Sequence, residues 1–415
     1  MRFFYILERK QSGIMMMKYE LKKFFNKKIN KMILIVMVFL AVVISYLAVG
    51  SMRYRDAEGK LYTGVTAGRR LAADRNKWKG KLTEEKIKEV VEDRRTLEQM
   101  YPEGIPDREY GKTVQSYDDI FSFGIYVFTP DSGYDQSVLY HWSDQQSESF
   151  YSMYETNILK MVQTYGKNLK QQEFLKRKYE EIEMPPDYAA KDSWDTMAMY
   201  AQTYGMILAV AIGFLASGIF ADEFRTKAET VFFSAKYGRS KAIRNKILTG
   251  IVMTTVVYWA GMGILSGISL GIMGTSGFLT PYQIDQPYSI YIMTYGEYYF
   301  LILVCGYIAS LFSATITMLA TVKMHSANLA NCVPFFLYCM MPFIGRAVPA
   351  FETVFNIMPG VFMNIIEYAK VPIVFQIGFV VVRQIPFVMI IYSILAIIWL
   401  LPVYKNFSKY GLRKS

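Results

Sequence analysis

Three cysteines in 415 residues, Cys305, Cys332 and Cys339, all lie in apolar stretches. They are too few for a disulfide scaffold, and nothing in the chain requires an oxidising compartment. Two histidines, His141 and His325, are too few for most histidine-based metal or relay chemistry, and neither has a second ligand close by in sequence. Charge is sparse too, at 20% of residues against 53% hydrophobic and 16% aromatic. That balance excludes intrinsic disorder and lies outside the range of a solvated globular chain. A phosphate-binding loop is also missing. The nearest match, Gly111, Lys112 and Thr113, has Pro106 where the first glycine must stand.

What is present is a set of long apolar runs. A spanning helix needs about 20 mostly apolar residues, because in hydrocarbon only bonds within the helix satisfy the backbone. Met32 to Met52, Thr196 to Ala221, Ile247 to Ile284 (partly loop), Tyr298 to Val322 and Gln384 to Tyr404 meet that length free of charge. Met324 to Gly345, carrying Pro334 and Pro342, is long enough to be a sixth. The first run is longer than the usual apolar region of a signal peptide and lacks a small-x-small cleavage site, so it reads as an uncleaved anchor.

The net charge of +11 would suit a nucleic-acid partner if it were gathered on one soluble face, but it is distributed as a topology signal. Residues 1–31 hold nine basic and two acidic residues, and 222–246 hold seven basic and three acidic. Lys323 and the tail residues Lys405, Lys409, Arg413 and Lys414 add to the same side. The alternate connections differ: 275–292 has no Lys or Arg, and 51–195 has 22 basic against 26 acidic residues. Positive charge is retained in the cytoplasm, so both termini are expected there and 53–195 outside.

The expected fold class is therefore mainly α: a polytopic six-helix transmembrane bundle with an inserted α+β extracellular domain between the first and second spans. Residues 1–31 form a cytoplasmic tail ending in a basic interfacial helix, with Leu21, Phe24, Phe25 and Ile29 at helical spacing among lysines. Within 53–195, Thr83 caps a helix running to about Met100. Phe123 to Phe128 and Val138 to Trp142 read as a β-hairpin, and a long amphipathic helix runs from Phe150 through Leu169. Gly205 and Gly213 on the second span, and Gly263, Gly267 and Gly271 on the third, recur at intervals that let helix backbones approach closely. Intramolecular packing is the favoured use of both sets, with a subunit interface as the other. The outer connection 347–383, broken by Pro359, Gly360 and Pro372, is expected to form a re-entrant or interfacial helical hairpin. Glu297, at the outer end of the fourth span, is the main acid near the apolar runs and a candidate pathway or gate residue with Pro359 and Gly360.

The most informative connection is IFADEFRTKAETVFFSAKYGRSKAIRNKI, Ile219 to Ile247. It opens on Asp222 and Glu223, exposes Val231, Phe232 and Phe233 on a short helix, and is broken by Gly238. Adjacent phenylalanines on a water-facing loop suit a partner's groove, or burial under the chain's own helices. Together with the basic first helix, the large outer insertion and the broken outer connection, GFLASGIFADEFRTKAETVFFSAKYGRSKAIRNKI resembles the membrane subunit of ABC type-2 transporters, the exporter permease family, of the low-GC Gram-positive type. The resemblance covers all six spans and is architectural more than motif-exact. It implies separate ABC ATPase subunits that carry the ATP and Mg, no cofactor bound by this chain, no catalytic or metal site, a second permease of the same or a different chain, surrounding membrane lipids, and no nucleic acid. It also implies that Glu223, Glu229, Phe232, Phe233, Lys236, Gly238 and Arg239 form the ATPase-coupling element. The mostly apolar, aromatic and methionine-rich interior favours a hydrophobic or amphipathic cargo, a peptide or lipid-like molecule. The alternatives are a membrane sensor or immunity protein that binds an antimicrobial peptide through its outer domain, and an ion-coupled carrier, for which buried acids are too few.

Overall fold

The structure, a computed structural model, describes residues 15–130, 134–144, 149–341, 344 and 352–411. Helix α1 (15–26) is separated from α2 (Lys28–Ser51) by Lys27, whose backbone is extended. The segment after α2 holds α3 (Val65–Arg75), α4 (Glu84–Met100), α5 (Asp107–Lys112), α6 (Asp118–Phe128), α7 (Ser137–Asp144), α8 (Phe150–Tyr165) and α9 (Leu169–Glu180). Then come α10 (Asp192–Arg225), α11 (Glu229–Ser234), α12 (Lys241–Met273), α13 (Tyr295–Met324) and α14 (Ala327–Phe335). A C-terminal rod of two successive helices, Gln384–Ile398 and Leu400–Ser408, ends the described chain.

Five of these elements are long and apolar enough to cross a membrane: α2, α10, α12, α13 and the C-terminal rod. The sixth expected span falls short among the described residues. Ala327–Met340 is an apolar helical stretch with Pro334 inside it and a π-helical end at Phe336–Met340. At about 1.5 Å per residue it extends about 21 Å, below the ~30 Å of a hydrocarbon core. Pro342 and Gly345 of the expected run lie outside the described residues.

Helix α10 is the centre of the bundle. It packs against α13, α12, α2 and α14. By contrast α2 exposes Ile35, Phe39, Val42 and Tyr46, and the C-terminal rod exposes Ile390, Ile394, Ile397 and Leu401, as faces meant for lipid do. Side-chain hydroxyls stitch neighbouring backbones: Tyr204 donates to the Met37 carbonyl at 2.9 Å, Ser313 to Ala209 at 2.6 Å and Tyr338 to Ala309 at 2.8 Å.

The two glycine sets behave differently. A Cβ on Gly213 would lie 2.7 Å from the Pro334 ring and 2.8 Å from Ser313 Oγ, and one on Gly205 would lie 3.2 Å from Met262. Those glycines pack α10 closely against its neighbours. Gly263, Gly267 and Gly271 meet nothing within 4 Å and lie on the exposed side of α12, so their expected packing within the chain is corrected. The close contacts of α12 come from Gly250, against Met318, and Gly261, against the Tyr204 hydroxyl.

Between α2 and α10 the described residues are mainly helical, with two small antiparallel ladders among them, β1 (Arg53–Arg55) with β2 (Leu61–Thr63) and β3 (Gly80–Lys81) with β4 (Asp187–Tyr188). Thr83 caps α4 through the Lys86 N–H, as its position predicts. The expected hairpin is corrected to α6 and α7. Ile120, Phe121, Phe123, Ile125 and Val127 are fully buried, while Asp118, Ser122 and Tyr126, spaced by four, are less enclosed; a short apolar run of this kind is not separated from a buried strand by its apolar residues alone. The turn residues Asp131, Ser132 and Gly133 are outside the described set. The expected long helix is two: the backbone turns extended at Gly166, where a Cβ would sit 2.6 Å from the Val162 carbonyl oxygen, and Asn168 then caps α9 by accepting from the Gln171 N–H at 3.1 Å.

The expected outer helical hairpin is corrected as well. After short helical turns at Glu352–Phe355, Pro359–Met363 and Ile365–Tyr368, residues Val374–Ile377 (β5) and Val380–Arg383 (β6) form a β-hairpin in which Val374 pairs with Arg383. Four valines and an isoleucine favour strand geometry, and Gly378, at φ +60°, opens the two-residue turn. Residues 347–351 lie outside the described set.

Gly213→Val should destabilise the detergent-solubilised protein by about 1–3 kcal/mol, because the Pro334 ring cannot move aside. Gly267→Val should leave its melting temperature within error of the parent, and thermal unfolding followed by size exclusion separates the two outcomes.

Candidate functional site: the ion cluster and the α10 to α12 connection

Helix α1 is amphipathic: Phe24 is buried, Lys18 and Lys22 are exposed, and Lys23, with Lys27 just past the helix end, reaches the end of α10. There they meet Asp222 and Glu223, both buried. Lys23 Nζ lies 3.3 Å from Glu223 Oε1 and 3.6 Å from Asp222 Oδ2, while Lys27 pairs with Asp222 and donates to the Gly218 carbonyl at 3.1 Å. From the start of α12, fully buried Lys246 reaches Glu223 Oε1 at 2.8 Å, Glu20 Oε2 at 3.6 Å and the Ile219 carbonyl at 2.9 Å. Three elements are thereby tied at one point by charges that burial would heavily penalise singly.

Lys23 and Lys27 differ in what that burial does. Burial pulls the Lys23 ammonium down, but Glu223, Asp222 and Glu20 together carry it above its ordinary value. For Lys27 burial outweighs Asp222 and the ammonium is held below it.

Beyond the cluster, the chain turns through α11. Phe233 is buried and Phe232 half-buried, so their expected exposure is corrected. Their rings stand 5.0 and 5.7 Å from Phe407 of the C-terminal rod. Phe220 and Phe224 pack on the same Phe407 at 4.9 and 5.8 Å, and Tyr410 lies against Phe224, Phe233 and His325. Arg239 closes this aromatic cage: its guanidinium lies 4.7 Å from the Phe233 ring and donates to the Ser408 and Tyr410 carbonyls at 2.7 and 2.8 Å. Gly238 is required because the Phe232 carbonyl oxygen occupies the space of a Cβ. Facing outward are Arg225, Thr226 and Lys227 before α11, and Thr230, Val231 (73% exposed), Ser234, Ala235, Lys236 and Tyr237 along and after it. Glu229 opens α11, half-buried, and joins no ion pair among the described residues.

Of the residues singled out in the sequence, Glu223, Phe232, Phe233, Gly238 and Arg239 form one connected junction, and Lys236 stands at its surface. The sequence reading missed Phe407 and Tyr410, which supply its far wall. The run of aromatics in YKNFSKY at the chain's end was the available signal. Glu297, Pro359 and Gly360 do not form a gate by direct contact among the described residues. Glu297 is exposed and closes a capping box with Thr294, while buried Pro359 starts the helical turn ahead of Gly360.

A second buried charge cluster, unforeseen in the sequence, sits at the opposite end of α10. Arg75 bridges Asp119 at 2.8 Å and Asp192 at 2.9 Å, and buried Lys191 pairs with Asp285 at 2.6 Å. Burial pushes the Asp119 carboxyl up despite Arg75 and Lys191 beside it, and Asp285 leads the carboxylates that raise Lys191 against its own burial. These pairs join 53–191 to the bundle. Among the described residues no group of histidine, cysteine or carboxylate side chains is arranged to hold a metal ion.

Compared with known protein families, curated proteins and solved structures, the chain matches none of them.

Lys246→Met should lower stability by about 3 kcal/mol, since it strips Glu223 of its closest buried partner. Combining it with Glu223→Gln should recover part of that loss. A double-mutant cycle by thermal unfolding measures the coupling, and strictly additive losses would contradict a cooperative cluster.

Proposed function

We propose that this chain is the membrane-spanning permease subunit of an ATP-driven ABC exporter, with both ends in the cytoplasm, 53–195 outside, and a separate ATPase docking on the α10 to α12 connection. One observation carries the reading. The connection presents Val231, Lys236 and Tyr237 outward while its back is fixed to α1, α10, α12 and the C-terminal rod by the ion cluster and the aromatic cage. A partner pushing on that surface moves the ends of two long helices together, because the junction has no slack. Coupling of this kind needs differential contacts in two states of the partner, which nucleotide binding and release supply.

A second permease is proposed to seat against the exposed Gly263, Gly267 and Gly271 ridge of α12, where backbones approach without hindrance. The cargo is proposed to be hydrophobic or amphipathic, a peptide or lipid-like molecule.

Purification in mild detergent from the native host should bring down a nucleotide-hydrolysing subunit. Val231→Asp with Lys236→Glu should abolish that co-purification without moving the melting temperature, whereas truncating Phe232 or Phe233 should unfold the junction. A permease that purifies with no ATPase would sink the proposal. In a cysteine-free background, Lys236→Cys should react with a membrane-impermeant maleimide only after cells are opened, and Lys88→Cys should react in intact cells. The reverse pattern would invert the proposed topology.

A further inference from the structure

At the end of α13 away from α1, two apolar clefts flank the ridge made by Glu297 and Phe300. One, of about 340 Å³, is lined by Leu301, Val304, Pro386 and Met389 and has both Arg383 and Glu297 on its wall. The other, of about 390 Å³, lies between Trp194, Leu270, Phe278 and Tyr299 and shares Glu297. Each is within the size range of a small-molecule site, and both open on the outside of the bundle.

The polar groups at their junction are positioned by the fold. The Arg383 guanidinium lies 5.2 Å from the Tyr291 ring and donates to the Ile290 carbonyl at 3.2 Å, and Tyr291 is itself held by accepting from the Ile385 N–H at 3.1 Å. Glu297 Oε2 accepts from the Thr294 N–H at 2.8 Å. Yet neither Arg383 nor Glu297 enters an ion pair among the described residues, although they line the same cleft. A cation and an anion joined by no ion pair thus border one cleft, and the anion borders the second as well.

We propose that the two clefts hold the acyl chains of one phospholipid whose headgroup carries both a phosphate and a primary ammonium, the phosphate on Arg383 and the ammonium on Glu297. Charge complementarity selects this occupant. An anionic headgroup without an amine leaves Glu297 facing a phosphate, and a guanidinium matches phosphate oxygens in a way that the carboxylate cannot. The site lies where the headgroup layer is expected to meet a span, and it does not depend on the chain exporting anything.

The full chain in detergent is titrated with phosphatidylethanolamine and, separately, with phosphatidylglycerol of the same acyl composition, and bound lipid is counted by native mass spectrometry. The wild type should bind one phosphatidylethanolamine in preference to phosphatidylglycerol. Glu297→Gln keeps the acceptor that the capping box needs and removes only the charge. It should weaken phosphatidylethanolamine about tenfold and leave phosphatidylglycerol unchanged, whereas Arg383→Gln should weaken both. Equal binding of the two lipids by the wild type, or an unaltered preference in Glu297→Gln, overturns the headgroup assignment. A single-chain lysolipid that binds as tightly as the diacyl form overturns the two-cleft assignment.

Discussion

Removing Lys246 and the carboxylates around it from water is costly, and the arrangement of α1, α10 and α12 follows from how that cost is offset. A buried ammonium must have anions within reach, and Glu223 and Glu20 come from two different elements. Asp222 and Glu223, now inside, must in turn be met by Lys23 and Lys27. No element can leave without stranding a charge in a low-dielectric setting, so the three ends are held in one register.

The neighbouring aromatic cage acts by shape. Phe407 receives rings from α10 and α11, and Arg239 fastens the end of the C-terminal rod through backbone carbonyls. Ionic and aromatic attachments thus meet on the two sides of the α10 to α12 connection, and residues exposed between 225 and 237 form its outward surface.

Much of the bundle was legible from composition, because a run of about 20 uncharged residues has few structural options. The limits were physical. Met324 to Gly345 contains enough apolar residues to cross, but Pro334 and the π-helical turn after it break the regular ladder. Phe123 to Phe128 is apolar and short, and such a run reads equally as a buried strand or as the helix α6 that it forms. The glycine ridge of α12 was assigned to internal packing because spacing states that a face is small, without stating what lies opposite. At the candidate junction, Asp222, Glu223, Phe232 and Phe233 were visible as a cluster in the chain. Their partners Lys23, Lys27, Phe407 and Tyr410 lie far away in the chain, and no local pattern connects them.

Helix α10 carries a further consequence. It has 34 residues without proline and ends in a charge cluster at each extremity, Arg75 and Asp192 at the first turn, Asp222 and Glu223 at the last. At about 1.5 Å per residue it is a strut about 51 Å long, with its ends pinned and its middle wedged by Gly213 against Pro334. Such a beam does not flex cheaply. Whatever tilts its lower tip must swing its upper one, so the segment 53–191 is geared to the opposite side of the molecule.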